Sequence, residues 1–175
     1  MRRIALCLAL FVAGCDARQD DVAIDTGNPL DVAAAEAHLI VDPGTTPAVG
    51  LYERGGAAGV DGLCVAGEDE DELRFGVVMH FGATLVCEGT GSAVHDGDTL
   101  SLDFDGADCA VELAYDGRAL RFPGTVPDGC AALCAERASL AGGAMNRVGW
   151  TSADALRLRS RRDVLQQRPP RALCM

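Results

Sequence analysis

The chain has 175 residues, with 26 acidic and 15 basic side chains and a formal net charge of −11. That balance argues against nucleic acid as a partner, which calls for a basic face, and the length suits one domain plus a tether rather than several domains. Hydrophobic residues make up 49% of the chain but aromatics only 5%, so the core is expected to rest on small aliphatic side chains.

Every basic side chain is an arginine, a bias that the base composition of a GC-rich genome explains. The charge is unevenly placed. Residues 16–128 hold 23 acids and 5 arginines, whereas residues 129–175 hold 3 acids and 8 arginines. A basic C-terminal part can dock on an acidic body or on anionic lipid, and docking within the molecule is the simpler expectation.

In chain order, Arg2 and Arg3 precede an apolar run from Ile4 to Phe11. A membrane span needs about 20 apolar residues, so this run reads as a secretory signal. Val12-Ala13-Gly14-Cys15 follows it and resembles the lipobox of bacterial lipoproteins. The resemblance implies cleavage between Gly14 and Cys15, a diacylglycerol on the Cys15 thiol, and a fatty acyl chain such as palmitate on the new amino group. It covers the targeting segment alone. Asp16 at the next position is similar to an inner-membrane retention signal of enteric bacteria, which leaves inner or outer membrane open. Cys7 lies in the signal and would be lost with it.

Four segments result: a signal peptide over 1–14, a lipidated cysteine and acidic tether over 15–33, a β domain over 34–126, and a helical part over 127–175 packed on it. The tether carries Asp16, Asp20, Asp21, Asp25 and Asp31 with Gly27-Asn28-Pro29 and shows no sustained period. A short helical turn fits Val32 to Ala37.

The β domain opens with expected strands at His38–Val41, Val49–Glu53 and Gly62–Ala66. The acidic run Glu68–Glu72 repels itself and reads as an exposed loop. In Arg74–Phe81, alternation puts Phe75, Val77, Met79 and Phe81 on one face. Thr84–Glu88 is a further strand, and Gly89-Thr90-Gly91-Ser92 reads as a hairpin loop. Thr99–Phe104 alternates most cleanly, between Asp96-Gly97 and Asp105-Gly106 turns. Cys109–Tyr115 and Arg118–Phe122 flank Asp116-Gly117, which suits a tight hairpin turn because glycine tolerates positive φ. Short, evenly spaced strands predict a mainly β fold: a small antiparallel barrel or sandwich, disulfide-linked, with one or two C-terminal helices.

Beyond Pro127 the pattern predicts a helix from Gly129 to Ala141 with Asp128 as its cap, then a second from Ser152 to Gln167 with Thr151 or Ser152 as cap. Cys64, Cys87, Cys109, Cys130, Cys134 and Cys174 remain once Cys7 and Cys15 are set aside. An even number in an exported domain reads as a disulfide framework. Cys130 and Cys134 are expected to reach different strands, and a Cys134–Cys174 bridge is the guess for tying down the terminus. Zinc is disfavoured by the absence of CxxC or paired histidine spacing.

Catalytic chemistry finds little support. His38, His80 and His95 stand singly. Ser92 and His95 fall on opposite faces of a strand and lack a nucleophile elbow. The aspartates at 96, 98, 103, 105 and 108 do not match a calcium loop. No catalytic residue, metal ligand or cofactor is therefore expected. The outline is similar to that of small envelope lipoproteins of Gram-negative bacteria. It implies a lipid-anchored protein facing the periplasm, a non-enzymatic binding module for an envelope protein or a small molecule. An inhibitor of an envelope-attacking hydrolase such as lysozyme is the alternative.

Overall fold

The computed structural model describes residues 28–36, 41–68 and 72–175. The expected first strand at His38–Val41 lies outside them except for Val41, which is not in a strand. A short helix, α1 (Pro29–Glu36), covers part of the segment read as tether.

Eight strands follow: β1 (Gly50–Gly56), β2 (Gly59–Ala66), β3 (Leu73–His80), β4 (Val86–Asp96), β5 (Thr99–Phe104), β6 (Ala110–Tyr115), β7 (Ala119–Arg121) and β8 (Ala144–Gly149). Each pairs antiparallel with its sequence neighbours, and β8 returns to β1, so the sheet closes into a barrel. Closure removes every free strand edge. The molecule is thus a mainly β, antiparallel, disulfide-linked barrel with short C-terminal helices, as the alternation predicts.

The interior is solid. Tyr52, Leu63, Phe75, Met79, Leu100, Leu102, Leu113, Leu120 and Met145 all point inward and are buried. Phe75 and Phe104 meet edge to face with centroids 4.8 Å apart. Eight strands enclose a lumen about wide enough for side chains to fill, and here they fill it. Outward positions carry Asp103, Glu112, Arg121 and Asn146. A transmembrane barrel has the reverse arrangement, with an apolar outer band.

Several expectations need correction. Gly89-Thr90-Gly91-Ser92 is no loop but the middle of β4. Its two glycines face inward, where a Cβ at Gly89 would strike the Phe104 ring and one at Gly91 the Phe75 ring and the Asp103 carbonyl. Glycine here makes room for an aromatic pair; it does not mark a turn. Phe81 lies beyond the end of β3 and is 44% exposed, not inward.

The helix expected over Gly129–Ala141 is only a 3₁₀ segment, Asp128–Leu133, and Asp128 does not cap it. Two bridges bend this stretch. Cys130 bonds Cys109 and Cys134 bonds Cys87, while Gly129 lies hard against the Asp108 backbone. The proposed Cys134–Cys174 bridge is wrong; Cys174 pairs with Cys64. The terminus is tied to the barrel as expected, but to β2.

The long second helix is likewise two short ones: α2 (Ser152–Ala155) and α3 (Arg161–Leu165). Thr151 caps α2 reciprocally with Asp154, and Ser160 caps α3. Between them Arg159 forms a β-bridge with Ala172, which a continuous helix could not do. Residues 150–174 thus form a strap across the outer face of the barrel.

Candidate functional site

Three polar constellations stand out, one at each end of the barrel and one beneath the strap. At the first mouth, the one that receives the chain from residue 46, Arg147 projects between aromatic rings. Its guanidinium carbon lies 5.0 Å from the centroid of Tyr52, 5.6 Å from that of Tyr115 and 4.3 Å from that of Trp150. It donates to both tyrosine hydroxyls and, at 2.7 Å, to the Pro47 carbonyl. Tyr52 in turn donates to the Ala48 carbonyl at 2.7 Å. This cluster closes the mouth with groups whose hydrogen bonds are met, the condition for burying them at all. Burial pushes the Tyr52 hydroxyl up, with Arg147 opposing. Burial and then the neighbouring Tyr52 push the Tyr115 hydroxyl well above the usual tyrosine range, again against Arg147.

At the other end the β7–β8 connection folds over the barrel, pinned by two bridges. Phe122, Cys130, Leu133 and Leu140 from it are buried in the core. A shallow recess of about 210 Å³ lies on its outside, lined by residues including Val126, Pro127, Ala138 and Leu140. Asp61, His80 and Arg54 sit on the adjoining rim. One Asp61 oxygen accepts the His80 backbone N–H at 2.6 Å, and the other accepts Arg54 Nε at 3.0 Å. His80 Nδ1 is buried, makes no hydrogen bond, and lies 3.6 Å from Asp61. Asp61 thus accepts from the backbone and from Arg54, and His80 Nδ1 lies just beyond hydrogen-bond reach of it.

The third constellation joins strap to barrel. Glu88, on the outer face of β4, is buried. Its carboxylate accepts the Ser160 hydroxyl at 2.7 Å and the Arg162 N–H at 2.8 Å. The Arg162 guanidinium reaches the carbonyls of Glu88 and Leu133, so strap, strand and cap meet at one point. Leu158 and Leu173 sit where a side chain at Gly62 or Gly76 would collide with them. Leu51, Cys64, Val78, Ala155, Leu173 and Cys174 make a second, smaller core there. A polar recess of about 140 Å³ beside it is lined by Glu88, Thr90, Asp105, Arg162 and Arg171, among others.

Of the residues singled out in the sequence, Gly14, Cys15 and His38 lie outside the described residues. The six remaining cysteines form three bridges. His95 meets Tyr115 edge to face with centroids 5.0 Å apart, and its Nε2 lies 2.9 Å from the Gly97 carbonyl. Asp105 pairs with Arg74. Among the described residues there is no group of three or more His, Cys, Asp or Glu side chains placed to hold a metal ion. Sequence reasoning missed Arg147, Glu88 and Trp150. An arginine facing a barrel mouth and a carboxylate buried beneath a distant segment leave no periodic signal.

These features define a class: a closed eight-stranded barrel, filled inside, plugged at both mouths and strapped on one face. Comparison with protein-family models, with curated proteins and with solved structures finds no match.

Proposed function

We propose that this chain is a lipid-anchored protein of the cell envelope, and that its barrel is a non-enzymatic binding module working through its outer surface. The observation that carries the anchor is Val12-Ala13-Gly14-Cys15 placed directly after a short apolar run. Cys15 carries the lipid, and the barrel stands in the periplasm on the stretch that follows. The three bridges agree with an oxidising compartment.

The filled interior supports surface recognition over enclosure of a small molecule. The mouths are occupied by Arg147 with its tyrosines and by the bridged cap, so the surfaces left for a partner are external. A second reading, an inhibitor of an attacking hydrolase, is favoured by the exposed ends of the acidic loop between β2 and β3, Glu68 and Glu72. Such a loop complements a basic enzyme such as lysozyme.

The anchor is tested by fractionating cells that express the native chain or Cys15→Ser. The native chain is expected in the membrane fraction, extractable only by detergent, and the variant is expected to lose that behaviour. Equal partitioning of the two sinks the anchor. Titration with lysozyme separates the second reading, since an inhibitor abolishes its activity near one-to-one stoichiometry.

A further inference from the structure

We propose that the outer face of the C-terminal strap is a docking surface for anionic phospholipid headgroups, which lays the anchored barrel on its side against the bilayer. The choice of lipid rather than an acidic protein rests on the anchor reading.

Residues 150–175 contain six arginines and two aspartates in a chain whose net charge is −11. The strap sorts them by side. Ala155, Ser160, Asp163, Leu173 and Cys174 face the barrel and are buried. Arg161 and Arg162 also turn toward it, donating to the carbonyls of Ala83, Glu88 and Leu133. Arg157, Arg159, Arg168 and Arg171 remain on the solvent side, all exposed. The Arg159–Ala172 bridge sets the middle of the strap beside its C-terminal end, next to the segment that carries Arg171.

The pairing of these arginines leaves a positive surplus. Arg157 is 3.8 Å from Asp154, and Arg168 and Arg171 share the single carboxylate of Asp163. Arg159 donates to the Leu156 carbonyl, which carries no net charge. Exposed apolar side chains are interspersed: Leu156 at 42%, Val164 at 43% and Met175 at 76%. Arginine guanidinium groups match phosphate oxygens two at a time. Arginines mixed with exposed apolar side chains are the composition of a surface that settles into the headgroup region. A tether makes this encounter intramolecular and adds to an affinity that the strap has on its own.

The test uses the chain from residue 15 to 175 carrying Cys15→Ser, so that no lipid contributes. Its partition onto phosphatidylglycerol vesicles is compared with phosphatidylcholine vesicles at low salt. Binding to the anionic vesicles alone is expected, and 0.5 M salt is expected to abolish it. Arg157→Gln with Arg159→Gln should weaken binding about thirtyfold, at about fivefold per arginine. Neither side chain bonds to the barrel, so the fold should survive, which circular dichroism checks. Arg118→Gln, on the β6–β7 turn, should bind as the parent does. Equal binding to both vesicles, no binding to either, or full binding by the double variant overturns the proposal. None of these results touches the anchor reading, which stands or falls with the partitioning of the native chain.

Discussion

Gln167 adopts φ of +57° just after α3, where the Arg168 N–H returns to the Asp163 carbonyl at 2.8 Å. That is the helix-ending position that glycine fills most readily, because a Cβ there is strained. Gln167→Gly is expected to raise stability by up to ~1 kcal/mol, visible as a higher melting temperature; a lower one would contradict the strain argument. The tyrosines give a second residue-level test. The chain has two of them, and both are held above their ordinary value of 10.0 by burial first. A raised native value means that the unfolded chain loses these protons first as pH rises. The stability they contribute is then complete below about pH 10 and declines above it. Tyrosinate absorbance of the native protein should stay flat past pH 10 and rise only with unfolding. Ordinary titration centred at pH 10 would mean that Tyr52 and Tyr115 are solvated and the mouth is open.

Elements were legible where a single rule governed them. β5 matches its expected span because Leu100, Leu102 and Phe104 point inward while their neighbours meet water. The Asp116-Gly117 hairpin is equally local: Gly117 has φ of +82°, and the Asp116 carboxylate accepts the N–H groups of Arg118 and Ala119. β8 escaped notice because Arg147 stands at an inward position, a polar residue whose partners come from β1 and β6. The two expected helices failed for long-range reasons as well, since bridges and the Arg159–Ala172 pairing override helical propensity. The strap carries two element-level expectations. Joint replacement Cys64→Ser with Cys174→Ser opens a sequence separation of 110 residues and should cost ~4–5 kcal/mol on chain-entropy grounds. Amide exchange over 158–173 should then rise well before that of β4–β6. Unchanged exchange would show that the bridge is not what holds the strap. Asp163 adds a pH dependence. The Arg171 N–H, against the cost of desolvation and with help from Arg168, keeps its carboxyl below the ordinary range. Stability from a depressed carboxyl is present above the unfolded-chain value and is lost as pH falls through the folded one. Strap exchange should therefore accelerate below about pH 4, and Asp163→Asn should remove that acceleration.

At the scale of the whole molecule, the barrel's filled interior and its strapped face divide the labour. The inside supplies stability, and under the proposed function a partner is met outside. An apolar fluorophore should gain no emission from the native barrel, because Phe75, Phe104, Leu102 and Met145 occupy the lumen. The proposed anchor rests on the sequence alone: lipidation needs a thiol, small residues and an apolar run in fixed order, and all lie within one short stretch. The charge surplus of the C-terminal part was legible there too; which of its arginines face solvent was not, because the folded-back strap turns Arg161 and Arg162 toward the barrel. The central claim, an anchored and fully bridged barrel, is most directly tested by the intact mass of the protein extracted from membranes. The expected mass is that of residues 15–175 plus one diacylglyceryl group and one acyl chain, less two hydrogens for each of three bridges. The mass of an unmodified polypeptide, or one with free thiols at Cys64 and Cys174, would contradict it.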